Sequence, residues 1–249
     1  MKKQKHNPFK AILTIIAVLL VLPIYAIKPA AQASDGGFAY SGSRAAVPIP
    51  AELIFQQNAD AVFKLETYDS YGILIRTGSG FFISDTGLAV TNLHVLDNAA
   101  SATITLYDGD VYRVRGVHAT SEAFNLAIIS IDSEDGGWEH LTLADSDLIE
   151  AGNTVYVIGS PLGYINTMTA GIISNTRREV DGETLIQFTA PISFGSGGSP
   201  LLNTLGQVVG VTSSSFSYGQ NLNLAVPINH IKSMRPEAYV PLSSLLRQA

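Results

Sequence analysis

The sequence has 249 residues, a formal net charge of −6 and no cysteine, and 46% of its residues are hydrophobic. Enough apolar surface is present for a core, which burial alone must hold because no disulfide can form. The acidic balance argues against nucleic acid or an anionic membrane surface as a partner.

The first 33 residues have the order of a secretory signal peptide. Four lysines precede an apolar run at 11–22, and Ala31-Gln32-Ala33 has the small-x-small pattern of a cleavage site. We therefore predict a signal peptide over 1–33 and a secreted or extracytoplasmic location. The alternative is an uncleaved anchor through residues 11–27, which is short for a membrane span and contains Pro23. Cleavage would remove five basic and no acidic residues, so the formal charge would fall from −6 to −11.

The remaining chain is predicted to hold one folded domain over 51–235, between a lead-in and a tail. Residues 34–50 are rich in Gly, Ser, Ala and Pro, which is typical of a flexible segment. A short helix is predicted at 51–58 and a second at 227–234, and residues 236–249 form the C-terminal tail.

Between these helices the sequence predicts an all-β domain. Short segments rich in Val, Ile, Thr and aromatics alternate with turn signals such as Asp108-Gly109-Asp110. A dozen short strands in one domain favour a double barrel over a single small one. The predicted strands are 61–68, 73–77, 80–84, 88–92, 102–107, 111–119, 126–131, 154–159, 167–175, 184–188, 208–212 and 224–226.

The stretch 189–203, TAPISFGSGGSPLLN, packs glycines and serines between two apolar segments. Glycine tolerates positive φ, so such a loop can aim several backbone N–H groups at one point. A nest of this kind can hold an oxyanion. Combined with a serine and a histidine, it is the centre of a serine hydrolase.

Seven stretches resemble, in order, motifs of the trypsin-like serine proteases, and within them of the HtrA/Deg branch. They are TGSGFFI (77–83), TNLHV (91–95), NLAI (125–128), GSPLG (159–163), TAGIIS (169–174), the 189–203 loop and LAVP (224–227). The resemblance runs from about residue 51 to 231. It implies two six-stranded β-barrels with a cleft between them, His94 as the catalytic histidine, a polypeptide substrate or peptide ligand, and no cofactor. It also indicates a protease domain only, because the chain ends too soon for the PDZ domain that many HtrA proteins carry.

The triad positions depart from the family pattern. Asn125 stands where the family has the orienting aspartate, and in an ungapped alignment Gly197 stands at the nucleophile and Ser199 at a glycine. An Asn can accept a hydrogen bond from the histidine, or present its NH2 group and fix the wrong tautomer. The Asp→Asn change in a trypsin triad costs about 10⁴ in kcat. With no side chain at Gly197 no acyl-enzyme can form there, so we predict an impaired enzyme or a pseudoprotease.

A shifted alignment gives the alternative, an active serine endopeptidase. Ser196-Gly197-Gly198 then matches the family's Ser-Gly-Gly, with Ser199 as an insertion, and Ser196 becomes the nucleophile beside His94. This register needs a one-residue bulge and places Phe194 where the motif has glycine. The oxyanion hole is assigned to the N–H groups of Gly195, Ser196 and Gly197; in the shifted register the N–H of Phe194 takes part.

Residues on both sides of the loop are expected to bind substrate. Ile192 and Phe194 would line the pocket for the side chain before the cleaved bond, and Thr212, Ser213 and Ser214 would pair their backbone with an extended peptide. No acidic residue occurs at the base of that pocket, which favours a small or apolar side chain there. Core packing is the plainer interpretation for Phe194, as it is for Trp138.

No histidine is spaced with other ligands as a zinc site would require, so we predict no metal. Asp145-Ser146-Asp147 is interpreted as a turn cap. A third function class remains open: a cell-surface structural domain held by its N-terminal segment.

Overall fold

The computed structural model describes residues 47–132, 136–213 and 222–245. In these residues the chain forms two closed six-stranded antiparallel barrels with short flanking helices, which confirms the predicted all-β double barrel. The predicted signal peptide, with its apolar run at 11–27, lies outside the described residues. Among the residues that are described, no helix has the length and hydropathy needed to cross a membrane.

Each barrel is built from six consecutive strands, and the two helices flank them. Helix α1 spans Ala51–Asn58 and α2 spans Asn229–Ser233. The first barrel contains β1 (Val62–Tyr68), β2 (Leu74–Phe82), β3 (Leu88–Asn92), β4 (Ser101–Thr105), β5 (Val111–Ser121) and β6 (Leu126–Ile131), in the order β1-β2-β3-β6-β5-β4. The second contains β7 (Thr154–Gly159), β8 (Thr167–Val180), β9 (Glu183–Phe188), β10 (Pro200–Leu202), β11 (Val208–Ser213) and β12 (Asn223–Pro227), in the order β10-β11-β12-β9-β8-β7.

The prediction of separate strands at 73–77 and 80–84 was wrong, because β2 runs unbroken through Gly78 and Gly80. These glycines permit close packing and do not mark a turn. A Cβ at Gly78 would lie 2.8 Å from the Val95 side chain, and one at Gly80 would lie 2.5 Å from the Phe63 ring. The three-residue strand β10 was not predicted, since the loop pattern before it dominates the sequence.

Neighbouring residues along the strands of the first barrel alternate between two hydrophobic clusters. Phe82 and Ile129 fill the inside of the barrel, whereas Phe81 and Ile128 pack in a cluster shared with residues of the second barrel. This explains why β6 is buried at all six positions and apolar at every one except Ser130. Trp138 packs as predicted, with its ring stacked on Phe82 at 4.7 Å between centroids.

The segment after α2 lies against the first barrel. Val240 and Val117 exchange backbone hydrogen bonds of 2.9 Å in both directions, and Leu242 is buried in the cluster inside that barrel. The described part of the tail is therefore packed on the fold.

Candidate active site

His94 lies in a 3₁₀ turn, Leu93–Leu96, that follows the end of β3. The segment 92–94 is fixed by Asn125, which precedes β6. The backbone oxygen of Asn125 accepts hydrogen bonds from Leu93 N at 3.0 Å and from Asn92 Nδ2 at 3.2 Å. Asn125 has φ +52°, a left-handed conformation that Asn and Asp adopt more readily than most residues. The two predicted triad positions are thus held side by side.

The Asn125 side chain contacts His94 at two points. Its Oδ1 accepts the backbone N–H of His94 at 2.8 Å, and its Nδ2 lies 2.7 Å from the imidazole Nδ1. Because a backbone N–H can only donate, the amide oxygen must face it and the NH2 group must face the ring. Nδ2 then donates to Nδ1, so the neutral ring carries its proton on Nε2. A histidine in this tautomer cannot accept a proton at Nε2 as a general base does.

The environment of His94 also favours the neutral ring. Burial lowers the pKa of His94 below its ordinary value of 6.5, and the Arg76 guanidinium acts in the same direction, against Asp97. A hydrogen bond with Asn125 would raise the pKa of His94 only if the Asn125 oxygen accepted from Nδ1–H, and that oxygen already accepts the backbone N–H of His94. Because folding lowers the pKa of His94, the neutral ring contributes stability to the folded protein that is fully present above pH 6.5. This contribution is lost as the pH falls through the lowered pKa and the ring becomes protonated.

Asn125→Asp is expected to reverse the tautomer and to raise the pKa of His94. A carboxylate keeps an oxygen for the backbone N–H and places a second, negatively charged oxygen at Nδ1, which binds a proton there. The ¹⁵N chemical shifts of the ring, followed through a pH titration, measure both changes. Unchanged shifts in the folded variant would contradict the assigned tautomer.

The 193–200 loop is anchored to both barrels. The oxygen of Gly197 accepts Ser79 N of β2 at 2.8 Å, and Gly198 N donates to Thr212 O of β11 at 2.9 Å. Thr212 N in turn donates to Ser199 O at 2.9 Å, so the loop pairs with β11 up to the start of β10. A Cβ at Gly198 would lie 3.2 Å from Asn92 N, which places this loop against the segment that carries His94.

Ser196 is turned into its own loop. It is only 3% exposed, and its Oγ accepts the N–H of Ser193 at 3.3 Å. Within the described residues, no hydrogen bond joins Ser196 to His94. Gly197, the position aligned without a gap to the nucleophile, is buried and carries no side chain.

The three N–H groups assigned to the oxyanion hole differ in their hydrogen bonding. Ser196 N donates to Ser193 O at 2.9 Å. The N–H groups of Gly195 and Gly197 have no acceptor among the residues that the structure describes. Unpaired backbone N–H groups on one loop are the donors from which an oxyanion hole is built.

The predicted substrate-binding residues have different environments. Phe194 is 73% exposed, so the core packing considered for it was wrong, whereas Ile192 is half-buried against the core of the second barrel. Thr212 is buried, and its hydroxyl donates to Ser196 O at 2.6 Å and accepts Ser199 N at 3.1 Å, so this side chain supports the loop. Ser213 is 1% exposed, and Ser214 lies outside the described residues.

One supporting residue was missed from the sequence. The hydroxyl of Ser79 donates to Gly195 O at 2.8 Å and accepts Ser160 N at 2.9 Å, so it ties the oxyanion loop to the 159–163 turn. Its position between two glycines of the TGSGFFI stretch was the available signal. The side chain of Ser199 also lies beneath the loop, where a Cβ at Gly159 would collide with it. No group of three or more His, Cys, Asp or Glu residues able to hold a metal ion occurs in the described part of the chain.

Comparison with known families decides the assignment. The family model for the trypsin-like peptidase domain matches residues 78–211, which include His94, Asn125 and the whole loop. The chain belongs to the trypsin-like peptidase family. Its relatives place it in the HtrA branch of that family.

Three similar proteins show the extent of the likeness. The chain is 33% identical to the putative serine protease HhoA of Synechocystis over 64% of its own length and 42% of the relative, and 32% identical to serine protease HTRA1A of Danio rerio over 75% and 40%. The crystal structure of the serine endoprotease from Yersinia pestis superposes with a TM-score of 0.64 at 25% identity, covering 75% of this chain and 65% of that one. This trypsin-like peptidase chain thus spans 28% to 42% of the length of the first curated relatives it matches.

Proposed function

We propose that this HtrA-branch protein is a pseudoprotease that acts by binding polypeptides in its cleft. The observation that carries the proposal is the amide of Asn125, whose NH2 group donates to Nδ1 of His94 at 2.7 Å. The resulting tautomer has no lone pair at Nε2 with which to activate a nucleophile. Gly197 supports the same conclusion, because it offers no side chain for acylation at the position aligned without a gap to the nucleophile.

The location and ligands follow from the relatives. Several of them are named periplasmic serine endoproteases, including those of Chlamydia trachomatis and Halomonas elongata. We extend to this chain an extracytoplasmic location, in agreement with the signal peptide predicted over 1–33, and polypeptide ligands.

A serine endopeptidase that uses Ser196 with His94 is the second candidate. The Ser196-Gly197-Gly198 sequence favours it, as do the names of the relatives. It requires the Ser196 hydroxyl to leave its hydrogen bond with Ser193 N and turn toward His94. It also requires the Asn125 NH2 group to give up its hydrogen bond to His94 Nδ1. If the amide turns so that its oxygen faces Nδ1, that oxygen loses its hydrogen bond with His94 N. The group facing the ring is then an uncharged carboxamide oxygen, where an active triad has a carboxylate.

Reaction of the full chain with a fluorophosphonate serine probe separates the two candidates. We expect no labelling of the wild-type protein, because the covalent step needs an activated hydroxyl. His94→Ala and Ser196→Ala serve as controls. Labelling that maps to Ser196 and disappears in both variants would establish the endopeptidase and contradict the pseudoprotease proposal.

A further inference from the structure

We propose that the cleft binds the free C-terminal carboxylate of a peptide, held by His94 Nε2–H and the N–H groups of Gly195 and Gly197. This inference rests on the proposed function, since it names the ligand of the same cleft. The protein is then expected to bind the C-terminal ends of cleaved chains in preference to internal peptide bonds.

The first argument is the chemistry of the unpaired groups. Nδ1 of His94 is occupied by Asn125, and Nε2 has no hydrogen-bond partner among the described residues. The N–H groups of Gly195 and Gly197 likewise lack an acceptor there. All three groups are donors, so the ligand that satisfies them must bring acceptors only. A carboxylate does so with two oxygens, one for the loop and one for the imidazole.

The second argument is the mismatch with an internal peptide bond. A peptide whose carbonyl oxygen enters the loop brings the following N–H toward the histidine. In this tautomer Nε2 already carries a hydrogen, so two donors would meet without an acceptor between them. Leaving donors unsatisfied in a desolvated site is costly, and replacing the peptide N–H with a carboxylate oxygen removes the conflict.

The third argument is space and surroundings. Gly197 has no side chain, so no hydroxyl at this position competes with a carboxylate oxygen for the loop N–H groups and the histidine. The exposed Arg76 guanidinium is close enough to His94 to disfavour positive charge on the ring, and therefore adds favourable potential for an anion, offset in part by Asp97. Phe194 and Leu162, joined by a 2.8 Å backbone hydrogen bond, are 73% and 70% exposed and give an apolar wall beside the loop.

The test is the binding of three tetrapeptides, acetyl-Ala-Ala-Ala followed by Ala, Val or Leu, each with a free carboxylate or a C-terminal amide. The full chain is titrated at a pH of about 8, above the ordinary histidine pKa, and shifts of the Gly195 and Gly197 amides and of the His94 ring are followed by NMR. We expect at least one acid peptide to bind at least about tenfold more tightly than its amide, which is about 1.4 kcal/mol.

Asn125→Asp is the matched control. It retains the size of the side chain but moves the ring proton to Nδ1, so Nε2 presents a lone pair to the ligand. The preference for the acid over the amide should therefore vanish. Equal binding of acid and amide to the wild type would overturn the carboxylate inference and leave a peptide-binding cleft, while binding of neither would overturn the inference. Labelling by the fluorophosphonate, by contrast, would overturn the pseudoprotease proposal.

Discussion

The triple variant Asn125→Asp, Gly197→Ser and Ser199→Gly is expected to become a serine hydrolase. It restores the hydroxyl, the orienting carboxylate and the glycine of the family motif on a scaffold that already holds His94 and two free loop N–H groups. Restoring the carboxylate is worth about 10⁴ in kcat and the nucleophile about 10⁶, and the two effects overlap because the residues act together. Fluorophosphonate labelling at position 197 and hydrolysis of a casein substrate measure the gain.

The single and double variants distinguish the contributions. Gly197→Ser with Asn125 unchanged should react at least about 10³-fold more slowly than the triple variant, since the imidazole keeps the wrong tautomer. Adding His94→Ala to the triple variant should abolish labelling. If the triple variant folds, shows the reversed tautomer by ¹⁵N shifts and still fails to react, the cleft has lost more than its triad.

The barrel architecture was predictable because its signals are local and repeated. Short β-branched segments and turn residues recur along the chain, and the motifs occur in family order, so an error at one strand does not alter the fold. The strand β2 (Leu74–Phe82) shows this, since the predicted segments 73–77 and 80–84 both fall largely within it and the error was the break placed between them. Gly78 and Gly80 accommodate Val95 and Phe63, which are distant in sequence.

The state of the candidate site could be predicted only in part. The sequence shows that Asn125 aligns with the aspartate, but an amide can present either its oxygen or its nitrogen to the ring. The choice depends on the backbone N–H of His94, which takes the oxygen at 2.8 Å. The orientation of a backbone donor in a 3₁₀ turn has no signature in the sequence, so the tautomer follows only from the structure.

The same applies to the loop at 193–200. Two registers were open from the sequence, and the hydrogen bonds of Gly197, Gly198 and Ser199 to β2 and β11 supply the constraint that the sequence lacks. Our proposal takes the ungapped register, in which Gly197 stands at the nucleophile position. The contacts that shape the loop involve Ser79 and Thr212 and not the proposed triad positions, so the shape of the loop does not depend on an intact triad.

Gly198→Ala is expected to destabilise the protein by at least about 3 kcal/mol, the sum of a strained backbone and a steric collision. Gly198 has φ +88°, a conformation that residues with a Cβ rarely adopt. A Cβ there would collide with the Ser79 oxygen and lie 2.8 Å from Thr91 Oγ1. These atoms belong to β2 and β3 at the base of the site, so they cannot move without disturbing both strands. Urea unfolding of the full chain measures the loss.

Gly109→Ala separates the two parts of that loss. Gly109 has φ +93° in the turn between β4 and β5, and a Cβ there meets nothing within 4 Å. It should cost only the backbone strain, about 1 kcal/mol. Equal losses in the two variants would mean that the loop shifts to admit the methyl group. In that case the contact between the oxyanion loop and β3 does not hold the N–H groups of Gly195 and Gly197 in place. A bound carboxylate would then have no defined position. A much larger loss at Gly198 would instead show that the loop is held rigidly against that strand.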